Sequence, residues 1–266
     1  MSVSFTSLGR AAALSCLLLA PLAPQAAAQD GHAAAPARRP EQGRAWRVRM
    51  SKSAPYTFTV KATEASLGEV AAEISRLSGV PVTLSPLMRK QRVTLDFGGL
   101  NLDATLRMLA PQPVVDYEAG GEDPQPRPLA VYLQALNEKP PAPGDAARGD
   151  TQAILIEGDT EGAEGEARKQ EEEPLKVTYA NNQLSVSARK QPLTLVLARV
   201  ASEVGVPFDV RYESPQVIDV EFDNYPLDQA VRSLSPEVRL YYRQDLQTLR
   251  MQPLRLALVS PAASRS

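Results

Sequence analysis

Two stretches of this chain repeat one another: Ser66-Leu67-Gly68-Glu69-Val70-Ala71-Ala72-Glu73-Ile74 and Pro192-Leu193-Thr194-Leu195-Val196-Leu197-Ala198-Arg199-Val200. Their apolar positions coincide, and both run on into one tripeptide, Gly79-Val80-Pro81 and Gly205-Val206-Pro207. Working outward, and after a one-residue slip, Val93-Thr94-Leu95-Asp96-Phe97 falls on Ile218-Asp219-Val220-Glu221-Phe222. Leu102-Asp103 then falls on Leu227-Asp228, Leu106 to Pro111 on Val231 to Pro236, and Tyr117 on Tyr242. Matched order, spacing and punctuation over this length mark two homologous modules.

Each module has a readable grammar. Leu67, Val70, Ala71, Ile74 and Leu77 recur at helical spacing and give one apolar stripe. Ser66 with Glu69 fits a capping box, and Gly79 supplies a left-handed stop. In the second copy Pro192 opens the helix and Gly205 closes it. The Val-Pro step cannot continue a helix and predicts a strand, Val82 to Leu84 or Phe208 to Val210. A period-two run follows, Val93/Leu95/Phe97 or Ile218/Val220/Phe222. A short second helix ends at a proline, and a strand pair closes the module, Val238 to Tyr242 and Thr248 to Val259 in the second copy. A strand also precedes the first helix, Tyr56 to Val60 or Leu184 to Val186. The second copy adds Val177 to Tyr179, with Ala180-Asn181-Asn182 as a hairpin turn.

The predicted class is therefore α+β: two tandem β-α-β-β-α-β-β modules of about 80 to 90 residues, each with two helices on small mixed sheets. The first module is placed at 46–137 and the second at 175–260. Between them, 138–174 is rich in proline and glycine, then in acid, and reads as a flexible tether. Ala153 to Ile156 is its one apolar island, read as an extra edge strand on the first module in preference to a docking segment. The two modules either pack together or swing freely on that tether. Residues 29–45 and 261–266 read as disordered tails.

At the N-terminus, Arg10 precedes the apolar run Ala11 to Ala20, and Ala26-Ala27-Ala28 offers a small-residue cleavage site. That is the pattern of a cleavable export signal, 1–28. Cys16 is the only cysteine; Ala13 stands where a lipoprotein signal would carry leucine, so Cys16 reads as part of the apolar core. A mature chain starting at Gln29 has neither disulfide nor thiol chemistry. The formal charge of -2 gives no electrostatic case for nucleic acid, and beyond the signal no apolar stretch is long enough for a membrane helix.

The alternating strand, the Ser-Leu or Pro-Leu helix start, Gly-Val-Pro, and Leu-Asp-x-x-Leu/Val-x-x-Leu together resemble the short N-terminal (STN, N0-like) domain of secretins and TonB-dependent transducers. The closest stretch is Leu184-Ser185-Val186-Ser187-Ala188 with Gln191-Pro192-Leu193 and the helix to Gly205-Val206-Pro207. The resemblance covers both modules. It implies a periplasmic location, possible self-association, and contact with envelope proteins, including secretin-type or TonB-linked complexes. No stretch reads as the pore-forming sheet of a secretin or the barrel of a transducer, so a channel is not implied.

Catalytic chemistry is hard to assemble. His32 is the only histidine and falls in the expected tail, which leaves no histidine for a triad or a metal cluster. Gly98-Gly99 and Gly120-Gly121 lack the spacing of a phosphate loop and read as turns. Asp103 and Asp228 suit helix N-termini, and Arg107 and Arg232 stand four residues on as ion-pair partners. Glu171 to Glu173 lack the spaced oxygens of a calcium loop. No cofactor, metal or catalytic residue is expected, and the chain reads as non-enzymatic. The alternating strand Asp219, Val220 and Glu221 is the candidate partner-binding segment. Three functions follow: an envelope adaptor or scaffold, a signalling part contacting an anti-sigma-type regulator, or a small-ligand or cell-wall binding module.

Overall fold

Helix-spaced apolar residues need a surface to lie on, and here each pair of helices finds two. The computed structural model describes residues 45–121, 123–144, 147 and 175–260. In chain order the first module runs β1 (Trp46–Met50), β2 (Phe58–Ser66), α1 (Leu67–Ser78), β3 (Val82–Leu84), α2 (Pro86–Arg89), β4 (Arg92–Leu100), α3 (Leu102–Leu109), β5 (Gln112–Gly120) and β6 (Asp123–Gln134). The second runs β7 (Leu175–Ala180), β8 (Gln183–Pro192), α4 (Leu193–Val204), β9 (Phe208–Val210), β10 (Val217–Pro226), α5 (Leu227–Leu234), β11 (Val238–Asp245) and β12 (Met251–Leu258). The export signal, His32, the Ala153–Ile156 island and the Glu171–Glu173 run lie outside the described residues.

The fold is α+β, as the pattern predicts. Leu67, Val70, Ala71 and Ile74 of α1 are completely buried, as are Leu193, Val196, Leu197 and Val200 of α4. Each large aliphatic side chain taken out of water stabilises by roughly 1.5–3 kcal/mol before chain entropy is counted. Gly79 and Gly205 end these helices with φ of 72° and 75°, and each glycine N–H returns to a carbonyl of the last turn. The capping box at Ser66 does not form: Ser66 makes no side-chain cap, and the Glu69 carboxylate instead accepts from the Trp46 indole at 3.1 Å. Trp46 belongs to β1, the counterpart of the Val177 to Tyr179 strand, which reading the repeat placed only in the second copy. The one-residue slip between repeats also has a cause. Ser85 caps α2 by accepting from the Met88 N–H, and this short turn lengthens the β3–β4 connection of the first module alone.

Three sheets result. Two are antiparallel and three-stranded, β1-β2-β4 and β7-β8-β10. The third has six strands in the order β3-β6-β5-β11-β12-β9, with β3 and β9 each parallel to its neighbour. The helices of each module pack against both its three-stranded sheet and its half of the six-stranded one. The modules are thus joined by β5 pairing antiparallel with β11. Periodicity within a repeat could not reveal this, since either outer strand fits an independent module.

The repeat reaches into backbone detail. β2 and β8 carry bulges at Glu64 and Lys190, both at positive φ (49° and 51°), and β4 and β10 carry matching ones at Gly99 and Asn224 (75° and 56°). Gly98-Gly99 is therefore a bulged stretch inside a strand and not a turn, whereas Gly120-Gly121 does sit at the β5–β6 turn. Asn181 and Asn182 form the predicted two-residue hairpin turn, both at positive φ, where asparagine is tolerated well.

Candidate functional site

The β5–β11 ladder centres on the repeat-equivalent residues. Tyr117 stands opposite Tyr242, with Asp116 opposite Arg243 and Glu118 opposite Tyr241. Equivalent strands meeting antiparallel at equivalent residues give the geometry of a two-fold dimer, enclosed within one chain. Side chains alternate across the sheet, so this seam has two faces of different chemistry.

On the helix-facing side, the Tyr117 and Tyr242 rings stack at 5.4 Å between Leu240, Val115 and Ala119, all buried. Tyr117 donates to the Asp103 carboxylate at 2.7 Å. Asp103, expected to pair with Arg107, is thus a tie between α3 and the seam strand. Its copy Asp228 does face Arg232, at 3.9 Å, an ion pair beyond hydrogen-bonding reach. Burial pushes both phenols well above the ordinary tyrosine range, and the nearby Asp103 and Asp228 carboxylates add to the rise. These tyrosines are held neutral, as packed hydrogen-bonding groups, far from the range of a general base at neutral pH.

The opposite face carries charge. Arg243 grips Asp116 with two hydrogen bonds, at 2.6 and 3.0 Å, and its third nitrogen donates to the Pro141 carbonyl at 2.6 Å. Tyr132 donates to the same carboxylate at 3.2 Å, and the guanidinium lies 4.8 Å from its ring centre. Asp116 is completely buried and Arg243 nearly so. Two residues further along β5, the Glu118 carboxylate meets Arg239 at 3.4 Å and Arg127 at 2.6 Å. Arg255 sits on the Tyr241 ring at 3.9 Å and pairs with Asp209 at 2.8 Å. In the two ion pairs that cross the β5–β11 ladder, the first module supplies the acids, Asp116 and Glu118, and the second the bases, Arg243 and Arg239. Sequence reasoning passed over all of these residues because they are spread over more than a hundred positions, as Asp116 and Arg243 show, and no short motif contains them.

The predicted partner-binding residues fall elsewhere, on β10. This strand pairs with β8 and is an outer strand of its sheet among the described residues. Asp219 and Glu221 are exposed and Val220 is half-buried between the inward Ile218 and Phe222. β4 holds the same place in the first module, with Val93, Leu95 and Phe97 turned inward. Its charges are engaged locally: Asp96 pairs with Lys61 at 3.2 Å, and Arg92 donates to the Glu64 carbonyl at 2.7 Å. The side chains of Asp219, Glu221 and Asp223 make no ion pair with any described residue.

Two open clefts lie among the described residues. One of about 390 Å³ lies along β3 beneath residues 138–141, and one of about 380 Å³ opens at the seam beside Gln112, Arg243 and Arg250. Arg243 is already engaged by Asp116, and in the first cleft Ser85 caps α2 while the Glu138 carboxylate accepts from the Ala135 N–H at 2.8 Å. Among the described residues no group of three or more His, Cys, Asp or Glu is placed to hold a metal ion, and no helix is long and apolar enough to cross a membrane. No family model, curated protein or solved structure matches the chain.

Proposed function

We propose that this chain is a non-enzymatic adaptor or scaffold of the cell envelope, exported to the periplasm, that binds secretion, pilus or transport machinery through two STN/N0-like modules. The observation that supports this reading is the pair of long outer strands, β4 and β10, on modules that already associate with one another by strand pairing. A module that pairs one edge in this way offers backbone donors and acceptors at another, the means by which extended partners add to a sheet. The buried charges Asp116, Arg239 and Arg243 are engaged in fixing the seam, whereas the outer strands carry exposed ones.

Photo-crosslinking in native cells tests the proposal. A probe amino acid placed at Asp219 or Glu221, with adducts identified by mass spectrometry, is expected to capture a discrete envelope protein. Capture of an inner-membrane regulator would replace the adaptor with the signalling reading. Self-adducts alone, or none from a well-expressed chain, would overturn strand-edge binding.

A further inference from the structure

The two outer strands are homologous yet chemically unlike, and the difference identifies what the second one takes. β4 and β10 are 9 and 10 residues long and turn the same alternating apolar row inward. On the solvent side β4 presents Arg92, Thr94, Asp96 and Gly98, with its charges paired inside the module. β10 presents Asp219, Glu221 and Asp223 in one alternating row, exposed and without an ion pair to any described residue; Glu221 stands opposite Ser187 of β8, and Asp219 opposite the bulge at Arg189 and Lys190. Val217, at the start of the strand, leaves 60% of its surface exposed.

Like charges in a row repel, and they persist only where the fold tolerates them or a ligand offsets them. Protection against edge-to-edge aggregation is one use for an edge charge. The first module, however, keeps an equally long outer strand without such a row, so the fold itself does not demand it. Resting on the adaptor reading above, we infer that the partner added at β10 is an extended basic segment in which Lys or Arg alternates with apolar residues. Its backbone continues the β8–β10 ladder. Its cations lie beside Asp219, Glu221 and Asp223, and its apolar side chains extend the row of Ile218, Val220 and Phe222. A strand lies within about 5 Å of its neighbour, so each carboxylate has a cation within reach. The first module, lacking the row, does not select for charge.

Fluorescence anisotropy on the full chain tests this with two capped octapeptides, one alternating lysine and valine, the other glutamate and valine. The lysine peptide is expected to bind and the glutamate peptide not. Binding should weaken roughly tenfold or more as salt shortens the reach of the charges. D219K/E221K/D223K should invert the preference, and D219N/E221Q/D223N, which introduces no repulsion, should abolish it while leaving the circular dichroism spectrum unchanged. T94K on β4 should alter neither. Equal binding of both peptides, no binding of either, or lysine-peptide binding that survives in the neutral variant overturns the inference. So does a neutral variant that merely self-associates, since the row is then protective. If cellular adducts at Asp219 and Glu221 persist in any of these cases, the adaptor reading stands and only the basic character of the partner falls.

Discussion

The two modules are built alike and differ where they face one another. Both set a twelve-residue helix and an eight-residue helix at the same places, and both bury the same aliphatic positions. Yet at the seam the first contributes Asp116 and Glu118, the second Arg239 and Arg243. Were β5 to pair with its own copy about Tyr117, each Asp116 would meet a Glu118, and acid would face acid in a buried sheet. Charges of one sign directly opposite each other destabilise a strand pair, so the seam favours unlike modules. Duplication supplies the two-fold geometry, and divergence on the outer face makes it directional.

The largest test of this contrast removes one charge. Arg243→Met leaves Asp116 buried without its partner and should lower stability by about 3–5 kcal/mol in urea denaturation. Replacing both, as D116L/R243M, should recover most of that loss. A single variant as stable as the parent would show that the seam does not depend on its acid–base division.

A second test asks whether the cores are as equivalent as they look. Leu67→Ala and Leu193→Ala remove fully buried side chains at matched positions, and each should lose about 2–5 kcal/mol. Because both cores join one apolar cluster through the seam, the two variants are expected to unfold in a single transition. Two separate calorimetric transitions would mean that the modules melt independently.

Alkali should probe the seam from its tyrosines. Burial raises Tyr117, Tyr242, Tyr132 and Tyr241 above the ordinary phenol value. The unfolded chain loses these protons near pH 10, and the folded chain holds them longer. The native state therefore binds more protons above that pH, and the stability these groups lend is present below about pH 10 and lost as pH rises past it. Ultraviolet titration should show late tyrosinate formation that coincides with unfolding by circular dichroism. Early, gradual ionisation would place the rings in water.

The smallest effect lies at the shared bulges. Lys190 takes a left-handed conformation that costs a side-chain-bearing residue about 1–2 kcal/mol, while glycine carries its own entropy penalty. Lys190→Gly should therefore raise the urea midpoint by an amount equivalent to about 1 kcal/mol or less. A loss would show that the lysine side chain supports the second module in a way that its counterpart Glu64 need not match.

Much of each module was legible because its signals are local. Gly205 ends α4, Asn181-Asn182 turns β7 into β8, and Leu193, Val196 and Val200 mark a buried stripe, each within a few residues of the next. β1 escaped although Arg47 and Arg49 alternate with Trp46, Val48 and Met50, because residues 51–57 stand between it and β2 where the second copy has the short Asn181-Asn182 turn. The seam escaped for a different reason. A buried arginine such as Arg243 reads in sequence as a surface residue, and its burial is understandable only once Asp116 arrives from the other module. That Asp219 and Glu221 share the polar side of a strand was readable from alternation; that the strand is an outer one required the sheet order, and the contrast with β4 required knowing where Lys61 lies.

The six-stranded sheet ends on β3 and β9, each only three residues long. Such stubs give an incoming strand few ladder bonds, too few to offset the entropy of ordering it. β3 and β9 themselves are consequently poor templates for strand addition, and each covers only three residues of its neighbour. Lateral polymerisation through these two stubs should be slow even in concentrated protein.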